Sequence, residues 1–435
     1  MADLPNFNIL LYCNRPAESE NAGTVIDHID AFAKYSRHNI LSWSSLNGFP
    51  EDEVMSKVDC IVIHYTLSLL YNSYIPDDTL DWIRNFCGLK ILFVQDEYRR
   101  VNFICEKIKY AKIDAIFTCA PEGVSNKIYA PLEGLVKLLP TLTGYVPENL
   151  VEVKTKPLSQ RSIDVGYRAR KCPFFLGKRS HEKYLIGKRF LKHSKKTGLI
   201  CDISSNEKDR LYGAKWIEFL SDCRATLGTE SGASIIDFTG RIEYDLNRWQ
   251  AFRPFSKFEN VPEEFLQADG EIELQVISPR CFEAAALRTA MILYPGEYSG
   301  LLEAGRHYLS LEKDFSNFDE IMRQLDDHRL LEQITSAAHR DLVESGQCSY
   351  EKFIENFDLE VQKLVAELNV KPIGQEITLL KSSRKNIEGA KEAHFSHLRN
   401  FLLRYKRSIW KHLPHWFKFL LGVTLLKKKM YGHFR

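Results

Sequence analysis

A chain of 435 residues with 44% hydrophobic and 27% charged side chains has the composition of an ordinary globular protein of two to three domains, with apolar mass for large cores. Residues 1–5 show neither a basic nor an apolar leader segment, and the ten cysteines fall singly with no Cys-x-x-Cys pair, so the expectation is a cytoplasmic protein with reduced thiols, not a secreted or zinc-finger one. The net charge of +2 conceals an asymmetry: residues 391–435 hold eleven Lys/Arg against one acid, Glu392, and the remainder stands at −8. Such a body argues against nucleic acid as a partner, because neutralising phosphates needs clustered positive charge.

Along the chain, apolar strand-like runs alternate with helical patterns. Asn8–Cys13 is the first such run. A polar loop follows, and Ala22-Gly23-Thr24 opens a helix in which Val25, Ile26, Ile29, Phe32 and Ala33 recur at helical spacing. Strand-like runs at 40–43, 60–65, 89–94 and 115–119 follow, separated by helical stretches near 79–86 and 101–111. Strands apolar along their whole length, with helices between, predict a parallel sheet covered on both faces. Near 139–152 proline and glycine punctuate a linker. Alternation resumes with strands at 162–166, 198–203, 225–228, 274–277 and 290–294, and helices at 182–193, 214–223 and 279–288. Residues 240–270 read as an irregular insertion. Helices at 318–325, 330–343 and 350–368 close a second lobe. The expected architecture is therefore α/β: a first Rossmann-like lobe over 1–150, a second over 151–370, facing each other across a cleft, and a basic helical tail over 371–435.

Ligands of such sheets bind beyond the carboxyl ends of the strands, so site residues are sought at strand ends. The sharpest motif is SPRCFEAAALRT, residues 278–289. Ser278 is a suitable N-cap and Pro279 suits the first helical position. The helix N-terminus then offers free N–H groups and a positive dipole end to an anion such as a diphosphate. Arg280 stands in the first turn, ready to pair with phosphate, and Glu283 one turn in, ready to accept from ribose hydroxyls. The plainer alternative is a buried amphipathic helix with an internal Arg280–Glu283 pair.

Residues 278–310 resemble the donor-binding stretch of GT-B glycosyltransferases, the group-1-like (spore-protein-like glycosyl transferase) families in particular. Those families open an E-A-x-A-x-G-T-P helix with a glutamate on the nucleotide ribose, which Glu283 matches, and end in G-x-x-Y, which Gly305–Tyr308 matches. Arg288 replaces the usual glycine and Ala290 the usual proline, so the turn after the helix is expected to differ. The resemblance further implies a glutamate near the donor sugar. Its usual place, eight positions before the ribose glutamate, holds Gln275. Glu230, in ATLGTESGAS (225–234), is the substitute, as a motif split by the insertion, with Gly228 and Ser231 beside it in a turn that exposes backbone N–H groups. In DVGYRAR (164–170) and just beyond, Arg168 and Lys183 are expected to neutralise the leaving diphosphate. Gly23 is expected in a loop approaching the donor phosphates. His64, Asp96 and Glu97 end first-lobe strands and are candidates for deprotonating an acceptor hydroxyl.

The implied activity is transfer of a sugar from a nucleotide-diphosphate sugar to a glycan, lipid-linked or other hydroxyl acceptor, in cell-surface polysaccharide assembly. No cofactor is expected, and the lack of any Asp-x-Asp sequence points to a metal-independent reaction. A sugar-nucleotide epimerase or a non-catalytic binding module on the same fold are the competing readings. The tail, 391–435, interleaves aromatic and basic residues and holds no apolar run long enough to span a bilayer. It is therefore expected to lie on an anionic membrane surface.

Overall fold

In a computed structural model, residues 6–16 and 23–372 are described. The tail expectation lies outside these residues. Six strands, β1 (Asn8–Cys13), β2 (Asn39–Ser44), β3 (Cys60–Ile63), β4 (Leu89–Val94), β5 (Ala115–Thr118) and β6 (Lys137–Pro140), form a first sheet in the order β2-β1-β3-β4-β5-β6, parallel throughout. Both faces are covered, which is why β1 is buried at every residue and the sequence runs apolar without alternation. The order reverses between β1 and β3, opening a crevice at their carboxyl ends.

The second sheet repeats this plan. Its strands are β7 (Ile163–Arg168), β8 (Cys201–Ser204), β9 (Cys223–Gly228), β12 (Ala290–Leu293) and β13 (Leu309–Ser310), parallel in the order β13-β12-β9-β7-β8. The order reverses between β7 and β9, so the loops leaving these two strands diverge and open the second crevice. Between β9 and β12 the chain makes an antiparallel pair, β10 (Ser231–Ala233) and β11 (Leu274–Val276).

The insertion expected as irregular is spliced into that hairpin and has its own order. Asp237 accepts from the amides of Gly240 and Glu243 (2.7 and 2.8 Å) and so caps a helix over Arg241–Ala251. Leu246, Phe258 and Val261 pack with Phe175 and Leu176 into a small core. The insertion also reaches the first lobe: Val101 donates its amide to the Asp237 carbonyl, Asp237 donates to the Tyr98 carbonyl, and Arg99 forks onto Glu243 at 2.9 and 2.5 Å.

One element departs from its expected lobe. The helix Tyr350–Leu368, expected to close the second lobe, packs on the first, against the Gly23–Tyr35 helix. Phe353, Phe357, Val361 and Leu364 fill the core made by Phe32, Phe93 and Phe117. Order along the chain does not decide which sheet an amphipathic helix covers; the unfilled aromatic face of the first sheet does.

Candidate active site

The helix Pro279–Ala286 begins at the mouth between the lobes, as its capping residues predict. Ser278 is its N-cap by backbone conformation, with no side-chain cap bond. Pro279 has no N–H and the Cys281 amide donates to the Ser278 carbonyl at 2.9 Å, so in the first turn the Arg280 amide is the one left to a ligand or to water. The linker holds this helix end in place: Thr143 Oγ1 donates to the Ile277 carbonyl at 2.6 Å, and a Cβ on Gly144 would lie 3.2 Å from Pro279 and 2.7 Å from Thr24.

Arg280 and Glu283 do not pair with each other. Arg280 donates to the Arg168 carbonyl at 2.7 Å, with its guanidinium 4.9 Å from the Tyr167 ring and 5.5 Å from the Trp216 ring; its Nε is buried without a partner. Glu283 accepts from the Trp216 indole at 2.9 Å. Burial pushes its carboxyl up to about 7. The Trp216 bond and Arg280 oppose the shift, and Asp27 of the first lobe adds to it. A helix-borne acid of one lobe thus faces an acid of the other, and Asp27 itself lies 3.7 Å from the Cβ position of Gly23, the glycine that opens its helix.

Lys183, on the helix Gly177–His193, donates to Ser231 Oγ at 3.1 Å. Burial lowers its ammonium; Arg280 and Arg170 add to this, and Asp96 from the first lobe opposes it. The exposed carboxylate of Asp96, held by Tyr98 at 2.7 Å, is therefore on the cleft. Gly228 ends β9 where a Cβ would strike Leu293 at 2.6 Å, so it keeps the strand end close to β12.

Glu230 is buried behind this group. Its Oε1 accepts from the Tyr298 amide at 2.9 Å, and Arg179 stands 3.6 Å from Oε2, an atom with no hydrogen-bond partner. Burial raises its pKa. The hairpin register sets Gly232 against Gln275, so the usual glutamate position and its substitute are neighbours in space despite the insertion between them. Gln275 in turn donates to Glu273, which holds Arg179 at 2.8 Å.

Other expected residues are placed elsewhere. Arg168 is committed inside its lobe, to Asp202 (2.8 Å) and to the carbonyls of Asp209 and Asp202, over the Phe219 ring. His64 is fully buried, with Nε2 on His28 Nδ1 (2.9 Å) and Nδ1 accepting from the Thr66 amide (3.1 Å); burial holds it neutral, far below the usual histidine range. Glu97 is turned inward, accepting from Thr118 Oγ1 and the Cys119 amide, so it knots the ends of β4 and β5. The turn after the motif helix was expected to differ because Arg288 replaces glycine. Arg288 adopts a left-handed conformation, φ 50°, and the helix closes with amides of Arg288 and Thr289 on the carbonyls of Ala285 and Ala284.

Arg179, Trp216 and Asp27 are the residues that strand-end reasoning missed. Arg179 carried a usable signal, lying two residues after a glycine in the first turn of a helix that follows β7. Trp216 and Asp27 carried none, because tertiary packing alone brings them to Glu283. Among the described residues no three His, Cys, Asp or Glu side chains gather as a metal site.

No family model matches the chain, and no curated protein does. Solved structures do. An alpha-glucosyltransferase in complex with UDP and a 13-mer DNA containing an HMU base matches at 12% identity over 83% of this chain and 100% of its own, with a TM-score of 0.50. The alpha-glucosyltransferase with UDP-glucose and DNA containing an abasic site gives 10%, 82%, 100% and 0.49, and Anabaena Alr3699/HepE with UDP-glucose 11%, 83%, 100% and 0.45. The exclusion of nucleic acid from the net charge does not stand: a glucosyltransferase of this fold is solved holding UDP and a 13-mer DNA. Net charge was the wrong measure, since residues 168–196 alone hold eleven Lys/Arg and one acid, Glu182. The chain has the two-lobed fold of the glucosyltransferase solved with UDP and DNA.

Proposed function

We propose that the protein transfers a sugar from a nucleotide-diphosphate sugar to a hydroxyl acceptor, without a metal ion. The observation that carries this is the convergence of Glu283, Arg280, Lys183 and Glu230 on one helix N-terminus, opposite Asp27 and Asp96 of the other lobe. In this reading Glu283 accepts from the ribose. The bond from the anomeric carbon to the diphosphate oxygen breaks, and the electron pair leaves with the diphosphate. The Arg280 and Lys183 side chains and the Arg280 amide meet that charge. The acceptor oxygen bonds to the anomeric carbon, and its proton passes to the leaving diphosphate oxygen. Glu230, beside Gln275, lies on the sugar side, and retention of configuration belongs to the reading. An inverted product would instead make Asp96 the base. The fold shared with a glucosyltransferase solved with UDP supports the donor class. That neighbour's DNA brings nucleic acid into the acceptor panel beside soluble and lipid-linked glycans.

Calorimetry with nucleotide-sugars tests the donor site. Glu283→Ala and Arg280→Ala each weaken binding by about 1.5–3 kcal/mol with the fold intact; unchanged affinity in both sinks the assignment. Turnover with the acceptor panel separates the rival activities: nucleotide release that needs an acceptor is transfer, acceptor-free interconversion of sugars is epimerisation, and binding without turnover is a recognition module. Activity lost in EDTA and restored by manganese would overturn the metal-free step.

A further inference from the structure

The positive charge hidden in the net figure lies on one flank of the second lobe. Of the eleven bases in residues 168–196, Arg168, Arg179, Lys183 and Arg189 are bonded inside the lobe. Arg170, Lys171, Lys178, Lys188, Lys192, Lys195 and Lys196 are exposed, and none forms an ion pair among the described residues. Lys188 and Lys192 are one turn apart on the helix Gly177–His193, and Lys195 extends the row through the turn Ser194–Lys196. Their rise of about 6 Å and then about 4.5 Å is on the scale of a nucleic-acid backbone, which sets a phosphate every ~3.4 Å of axis per strand. One turn before Lys188, the Tyr184 ring has the Lys171 and Lys188 ammoniums 4.9 and 5.6 Å from its centroid. Beside it runs a groove of about 230 Å³ between the helix and the carboxyl end of edge strand β8, lined by Tyr184, Lys188, Leu191 and the polar Ser204, Ser205 and Asn206.

We propose that this flank is a nucleic-acid track: the lysine row holds the phosphate backbone, and the Tyr184 groove takes a base or sugar edge. It rests on the transfer reading above and names nucleic acid as its acceptor class. Lysines on phosphate supply affinity regardless of sequence, and an aromatic ring between them supplies a stacking surface. A membrane surface fits less well. A helix lying in lipid needs an apolar face turned outward, and here Ile186 and Phe190 are fully buried beneath the lysines. The helix starts at the carboxyl end of β7, so the track leads away from the cleft mouth, as an acceptor presenting one hydroxyl to the site would require.

The test uses the full chain and a fluorescent 20-base-pair duplex, with anisotropy read from 50 to 200 mM salt. Lys188→Gln/Lys192→Gln/Lys195→Gln weakens binding tenfold or more and lowers the salt slope by about 2.7, at about 0.9 per lost phosphate contact. A control triple, Lys109→Gln/Lys127→Gln/Lys154→Gln, removes the same charge from exposed sites elsewhere and binds as wild type. Both triples keep the basic tail, so the difference between them reports the flank alone. Nucleotide affinity by calorimetry is the same in all three proteins. The proposal is overturned if wild type binds no duplex at 50 mM salt, if the two triples bind alike, if the flank triple loses nucleotide affinity, or if it loses anionic vesicles and not duplex. Failure of wild type to bind any nucleotide-sugar would remove the transfer reading and leave the duplex result to stand on its own.

Discussion

Asp96 and Glu97 are adjacent at the end of one strand, yet one carboxylate is exposed on the cleft and the other is 1% exposed inside the lobe. The strand itself ends at Val94 and Glu97 already lies in the turn that follows, so a strand-end position is legible in sequence while the side on which its group falls is not. Glu283 is the opposite case, because helical spacing from a capped N-terminus fixes its place. Its carboxyl, raised to about 7 by burial, makes a functional prediction. Below that pH it is neutral and has lost an acceptor position to its proton, so nucleotide-sugar affinity rises from pH 6 to 8, by at most about tenfold. The rise disappears in Glu283→Gln. A flat wild-type profile by calorimetry removes the ribose role. His28 carries a stability prediction of definite sign. Burial lowers it to about 3, so between there and the ordinary histidine range the unfolded chain binds a proton that the folded one does not. Its stabilising contribution is thus present near neutrality and lost as pH falls below about 6.5. The destabilisation caused by His28→Gln, from urea unfolding, should shrink by about 1 kcal/mol or more between pH 7.5 and 5.5.

At the scale of elements, most strands and helices were legible because short apolar runs alternate regularly with segments of helical periodicity. Residue type alone does not give backbone geometry: Arg288 holds a left-handed position, φ 50°, of the kind that favours glycine. The left-handed conformation costs a non-glycine residue about 1 kcal/mol, and the Glu344 pair at 3.4 Å, with both side chains over 40% exposed, returns little of it. Arg288→Gly should therefore stabilise the protein by about 0.5–1 kcal/mol without altering nucleotide affinity. A loss of stability on urea unfolding would show that the arginine makes a compensating contact. The insertion was illegible for another reason. Its helix depends on Asp237, whose two amide partners are local but whose own backbone is clamped to the first lobe at Tyr98 and Val101. Asp237→Ala leaves two partly buried amides without their carboxylate partner and should cost about 1 kcal/mol. Faster hydrogen exchange should be confined to residues 235–260; an unchanged exchange rate there would remove the capping role.

For the whole molecule, two quantities summed over the chain misled. Net charge averaged away a basic flank, and chain order assigned the last helix to the wrong sheet. The helix Tyr350–Leu368 follows three second-lobe helices in sequence, but its apolar face matches the aromatic side of the first sheet. Phe357 meets Phe32 at 5.0 Å and Phe117 at 5.7 Å between ring centroids. It is fully buried, so truncation removes both its transfer energy and the packing around it, about 3–5 kcal/mol. We therefore expect Phe357→Ala to destabilise the lobe that is distant in sequence. Amides of β1, β3 and β4 should exchange faster with solvent, while those of β9 and β12 keep wild-type protection and nucleotide-sugar binding survives at low temperature, because Glu283 and Arg280 stand on the other sheet. Phe190→Ala, fully buried in the second lobe, should show the reverse pattern at similar cost. If Phe357→Ala instead exposes β9 and β12, the helix belongs energetically to the second lobe, and the first sheet must be held by something other than this returning strap.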